Sequence, residues 1–232
     1  MNYTGLPPQV PPLLLVVLEE AGLPYTIFPI TKDNSEKLEL EFLKTTRNNI
    51  FPIILDRDGP HKKPFVIFEA GAILLYLAEK CGKFIPTEST ERFNVLQWLL
   101  FENSKIGPTL GNTKHFMYHA PDPIPYAVKR FNNEAKRIFN IIDDQSGENE
   151  FLAGTYSIAD IATFPWVKEY ERYHVASETI PNISLWIDKI KKRKAVIKGI
   201  EAVSNLNLIY KKRNLICHIH ISVFGTTILQ PF

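Results

Sequence analysis

The sequence predicts an α/β domain followed by an all-helical one, and three observations carry that prediction. Two short apolar runs, Ile50 to Leu55 and Phe65 to Phe68, flank the turn-forming residues 56–60 and read as an antiparallel hairpin. A helix with Ile73, Leu74 and Leu77 on one face starts near Glu69 and stops at Gly82, a residue type that accepts the left-handed conformation beyond a helix end. Past residue 90, apolar residues recur at spacings of three and four, the period of a helix face rather than of a strand.

Taken in order, the chain opens with little room for a strand ahead of Tyr3, and residues 13–18 (Leu13, Leu14, Leu15, Val16, Val17, Leu18) form a helix that is apolar all round. A helix at the edge of a domain should show a single stripe. Two readings stay open: a divergent helix with an exposed sticky face, or a first dozen residues that belong to an incorrect gene model. Residues 26–30 read as a strand, 31–37 as a polar loop and 38–44 as a short helix. The order strand, helix, strand, helix, strand, strand, helix joins a β-α-β unit to a β-β-α unit in one mixed sheet. The expected boundaries are 1–83 for this domain, with an atypical first strand and loop, 84–90 for a linker, 91–203 for the helical domain and 204–232 for a tail. That tail has no recognisable counterpart and reads as disordered, packed opportunistically or another gene-model error, although its alternating stretch 216–224 suits an added strand.

In the helical part, Phe93, Leu96, Leu99 and Leu100 predict one stripe, Gly107 and Pro108 punctuate it, and prolines 121, 123 and 125 form a connector. A long helix then carries Val128, Phe131, Ala135, Ile138 and Ile142 towards the core, with Arg130 off that stripe. Ser157 followed by Asp160 is a capping box, a structural motif rather than a catalytic one. Residues 181–200 predict a last helix with Ile183, Trp186, Ile187 and Ile190 on one side and a basic run at 191–194.

Composition removes several function classes. A formal charge of +2 on 232 residues gives no reason to expect nucleic acid or an anionic membrane as partner. Cys81 and Cys217 are the only cysteines, so there is no disulfide framework, no C-x-x-C pair and no zinc spacing, and a cytoplasmic setting fits. His115 and His119 lack metal-ligand partners, and the pair His218 and His220 lacks a third ligand, so no metal is expected. The run 13–18 is too short to span a bilayer and has no basic leader.

The candidate chemistry gathers around Pro52. Proline cannot donate to a strand ladder, and an aromatic residue before it raises the chance of a cis bond and a kink. Such a kink would turn the backbone N–H and C=O of Phe51 outward, where an extended peptide-like ligand can pair with them. The helix start at Glu69, Ala70 and Gly71 offers amide groups and a positive dipole end to a carboxylate, while the Glu69 carboxylate suits an ammonium. Together they describe a cradle for a small zwitterionic peptide.

The run Phe68-Glu69-Ala70-Gly71-Ala72-Ile73-Leu74-Leu75-Tyr76-Leu77-Ala78-Glu79-Lys80 resembles the F-E-S-G-A-I-L-L-Y-L-A-E-K of glutathione transferases, and Leu18-Glu19-Glu20-Ala21-Gly22-Leu23-Pro24-Tyr25 matches their L-E-E-x-G-L-P-Y helix end. It is most similar to the nu-class bacterial enzymes with glutathione-dependent disulfide reductase activity, and to the fungal nitrogen regulator of the same fold. The resemblance implies a thioredoxin-like N-terminal domain, an all-α C-terminal domain, and a homodimer. It also implies glutathione as co-substrate, bound by Phe51, Pro52, Glu69, Ala70 and Arg130, the last from Val128-Lys129-Arg130-Phe131 where the family has I-E-R-Y. The chain departs at the loop that activates the sulfur: Tyr3 and Thr4 match, but Pro7-Pro8-Gln9-Val10 stands where T-P-N-G is usual. Gln9, and behind it Thr4, are the remaining candidate donors to the thiolate. Ala70 replaces a serine whose hydroxyl would bond the γ-glutamyl carboxylate. The expected function is conjugation of glutathione to an electrophile, as in detoxification, or reduction of a small disulfide; the alternative is a glutathione-binding protein with impaired catalysis.

Overall fold

The computed structural model describes residues 12–30, 52–213 and 218–223, with backbone alone at 28–30, 206–213 and 218–222. Contacts divide the chain into two compact units, residues 1–81 with 194–232, and residues 82–193.

In the first unit, helix α1 (Pro12–Ala21) leads through Gly22, at φ +67°, into strand β1 (Tyr25–Ile30). Strands β2 (Ile53–Asp56) and β3 (Phe65–Phe68) form the expected antiparallel hairpin, with Ile53 opposite Phe68 and Asp56 opposite Phe65. Helix α2 (Ala70–Cys81) buries Ile73, Leu74 and Leu77 completely and ends at Gly82, whose φ of +66° is the left-handed value that its position requires.

Of the C-terminal residues, Lys194–Arg213 form a helix and His218–Val223 a strand, β4. The sheet order is β1-β4-β2-β3: β4 runs antiparallel to β1 and parallel to β2, and it separates the two. The all-apolar α1 has its explanation here. Residues 13–18 are all buried rather than exposed as a sticky face, because Lys194–Arg213 and α2 pack on this helix. The crossing is so close that a Cβ on Gly199 would stand 2.8 Å from the Val16 nitrogen.

The second unit is helical: α3 (Ser89–Phe101), α4 (Gly107–Tyr118), α5 (Pro125–Glu148), α6 (Ile158–Val167) and α7 (Pro181–Lys191). Three details differ from the sequence reading. Gly107 and Pro108 do not interrupt the helix, because a π turn (Glu102–Ile106) links α3 to α4 and Pro108 falls where no intrahelical N–H is needed. On α3 the core face is Val95 and Leu99, whereas Phe93 and Leu100 are 60% and 64% exposed. The last helix expected over 181–200 is two helices, broken after Lys191; the second, α8 (Lys194–Arg213), is the one that packs on α1 in the first unit.

The capping box at α6 is present and is part of a larger network. The Ser157 hydroxyl oxygen accepts from the Ala159 N–H at 3.3 Å, and Asp160 accepts from the Ser157 N–H at 3.0 Å. Asp160, fully buried, also accepts from the Ser157 hydroxyl, the Leu152 N–H and the Trp186 indole N–H.

Candidate glutathione site

The hairpin register assembles the site. Because β2 and β3 are antiparallel and Ile53 lies opposite Phe68, the start of β2, preceded by Pro52, lies beside the end of β3, where Glu69 and Ala70 follow. Three of the five residues expected to hold the ligand are thereby brought to one end of one hairpin: Pro52, half-buried, Glu69, exposed, and Ala70, half-buried. Phe51 lies outside the described residues, as do Thr4 and Gln9, and with Phe51 the expected kink at the Phe51–Pro52 bond. Arg130 is exposed near the start of α5, in the second unit.

Glu69 has φ +69°, a left-handed backbone uncommon for a residue with a side chain and costing on the order of 1 kcal/mol. The Ile73 N–H closes the first turn onto the Glu69 carbonyl at 2.9 Å. Ahead of that bond, the amides of Ala70, Gly71 and Ala72 belong to the helix end, where partial positive charge accumulates. Ala70 contributes its N–H there and no hydroxyl.

The opposite end of the hairpin is tied down by charge. Asp56, fully buried, accepts from Tyr76 Oη at 2.5 Å and from Lys80 Nζ at 2.6 Å, and its second oxygen accepts the Asp58 N–H. Lys80 also donates to the Asp58 carbonyl. Burial first, and then the bond to Asp56, push the Tyr76 phenol above its ordinary range. Since Tyr76 and Lys80 are both on α2, this cluster clamps the helix to β2 at the end away from Pro52 and Ala70.

One titratable group in the second unit escaped sequence reasoning. Glu102, in the π turn, is 6% exposed, and burial pushes its pKa up to about 7, opposed by a hydrogen bond from Trp166. Gly107 leaves room for it, since a Cβ there would come within 3.2 Å of Glu102 Oε1. A signal for it existed: Glu102 falls in the buried register of Val95 and Leu99, where an acid is out of place. The same unit has a cavity of about 420 Å³ lined by Asn94, Gln97, Trp98 and Gln145 among others, without a charged side chain. Its amides are largely spent on the frame, Gln145 donating to the Leu152 carbonyl and Gln97 to Asn94. Among the described residues no group of acids, cysteines and histidines is arranged to hold a metal ion.

Residues 3–79 match the model of the glutathione S-transferase N-terminal domain. The chain is similar to the disulfide-bond oxidoreductase YfcG of Escherichia coli, 38% identical over 186 residues that make up 78% of this chain and 86% of the relative. Two solved structures share its fold at 35% identity. One is a glutathione transferase from Pseudomonas putida with one glutathione disulfide bound per subunit, at TM-score 0.73, covering 82% of this chain and 88% of that one. The other is a glutathione transferase from Burkholderia graminis with two glutathione molecules bound per subunit, at TM-score 0.76, covering 83% and 85%. With the hairpin, the helix behind it and these likenesses in agreement, the chain belongs to the glutathione S-transferase family.

Proposed function

We propose that this protein binds glutathione at the end of the β2–β3 hairpin and uses its thiolate to reduce small disulfides or to conjugate electrophiles. The observation that carries this reading is the register: Ile53 opposite Phe68 sets Pro52 beside the first amides of α2, so a peptide running along the strand end meets a helix N-terminus with its carboxylate. Glu69 faces the ligand's ammonium, Arg130 its second carboxylate, and Phe51 its backbone. The similar structures with glutathione or glutathione disulfide bound, and the oxidoreductase name of YfcG, support a thiol–disulfide reaction. In that reaction the glutathione thiolate attacks one sulfur of the disulfide, a mixed disulfide forms, and the other sulfur leaves as a thiolate. Gln9 is the proposed donor that favours the thiolate, with Thr4 behind it.

A second reading is favoured by Ala70, which offers an N–H and no hydroxyl where the motif has serine. On that reading the groove holds glutathione without efficient turnover, as a regulatory or binding protein. Calorimetry with reduced glutathione, beside turnover of a mixed disulfide and of an aromatic electrophile, separates the two. Binding with turnover is the expected result, binding alone selects the second reading, and no binding removes both.

The working unit is a homodimer in the cytoplasm on this proposal. Phe93 and Leu100, one seven-residue step apart on a single face of α3, are the exposed apolar side chains that a second copy would cover. Light scattering of a Phe93→Glu, Leu100→Lys variant should give the monomer mass if so, and an unchanged mass would place the interface elsewhere.

A further inference from the structure

We propose that the C-terminal segment, α8 together with β4, is a positioning element for the glutathione site; this rests on the function proposed above. The argument starts from who pairs with whom. Among the described residues, β1 is joined to the sheet only through β4, from Tyr25 opposite Val223 to Ile30 opposite His218. β2 has four residues and is flanked on both sides, by β3 with Ile53 opposite Phe68 and by β4 with Ile53 opposite His220. Past the strand, the Arg57 N–H still donates to the Val223 carbonyl at 3.1 Å, and Val223 is fully buried. With β4 removed, the described sheet falls to a two-stranded hairpin and an isolated strand, neither of which holds its shape alone in water.

The residue before Ile53 is what makes this matter for the ligand. Pro52 brings no N–H to a ladder, so the end of β2 that carries it is held by the pairs on either side of Ile53. A peptide that docks by backbone pairing needs that end in one place before it arrives, since ordering it on binding costs affinity. β4 supplies one of its two sides. α8 brings β4 to its slot: Val196 and Val203 are buried on one face, and Gly199 between them sits against the backbone of Val16. The same segment therefore covers α1 and closes the sheet, and the two contacts tie a single stretch of chain to the first unit at two points.

The test uses the full chain with a protease site introduced between Arg213 and His218, cut after folding, with the C-terminal peptide removed by dialysis in mild urea. The cut protein should lose at least tenfold in glutathione affinity by calorimetry, and amide exchange in β1 and β2 should accelerate, while exchange in the second unit stays as before. Adding the synthetic peptide 214–232 should restore both, the peptide with Val223→Ile should do as well, and the peptide with Val223→Asp should not. A cut protein that binds glutathione like the full chain, with unchanged exchange in β2, overturns the proposal, and so does restoration of exchange protection without restoration of affinity. In case the cut protein does not survive isolation, Val223→Asp in the uncut chain reads the same two quantities against Val223→Ile. If the full chain binds no glutathione at all, the function proposed above fails; if it binds and the cut chain binds equally, only this inference does.

Discussion

The two units are built by opposite strategies. In the second, part of the fastening is local: the π turn carries α3 directly into α4, and Asp160 takes donors from Leu152 and Ser157 beside it as well as from the more distant Trp186. In the first, β1 finds its partner in a strand at the other end of the chain, and α1 is covered by a helix that begins at Lys194. The lesson is that local fastening can be written in short motifs, whereas the sheet depends on pairing that no local signal declares. The units also differ in how they treat buried acids. Asp56 in the first is met by a lysine and a phenol, Asp160 in the second is met by neutral donors, and Glu102 has one indole.

Asp160→Ala should produce the largest effect, about 3 kcal/mol or more from the urea midpoint, because several buried donors lose their acceptor together. Amide exchange should speed up in residues 82–193 and stay unchanged in β2; equal loss in both units would break the comparison. Next comes pH. Glu102 has a folded-state pKa of about 7 against an ordinary 4.5, so the folded protein holds the proton more tightly. Its contribution is complete below about 4.5 and is lost as pH rises towards 7, on the order of 3 kcal/mol in all. Melting temperature against pH should show this fall, and Glu102→Gln should flatten it. Tyr76→Phe should cost about 2 kcal/mol in the first unit alone, by removing a hydrogen bond to a buried carboxylate while leaving the ring packed on Phe65. The smallest effect is on affinity: Ala70→Ser should tighten glutathione by about 1 kcal/mol, up to about tenfold in Kd. An unchanged Kd would take the head of α2 out of the site.

The capping box at Ser157, the hairpin, and the end of α2 at Gly82 were all legible, since each is decided by residues within a few positions of one another. The apolar circumference of α1 was legible as an oddity but not as a solution, because what buries it lies beyond residue 193. On α3, periodicity predicts a stripe of Phe93, Leu96, Leu99 and Leu100, of which Leu99 is buried while Phe93 and Leu100 are exposed and Val95, outside the stripe, is in the core. Phe93 and Leu100 are as hydrophobic as Val95 and Leu99, and only packing distinguishes the face turned inward. Pro108 predicts a break because a regular helix would break there; a π turn ahead of it absorbs the misfit. That Pro52, Glu69 and Ala70 come together is legible, because one hairpin sets the start of β2 beside the end of β3. Glu102 was passed over because charge on a helix usually signals solvent.

The placement of β4 has a consequence for biosynthesis. A ribosome delivers β1 and β2 long before it delivers the strand that lies between them, and it releases all of residues 82–193 in the interval. The helical body is free to fold during translation, while the nascent sheet carries unpaired edges of the kind that chaperones shield. Completion of the sheet thereby waits until β4 has been made, and a ribosome stalled between residues 193 and 218 would leave behind a folded helical body attached to an unfinished sheet.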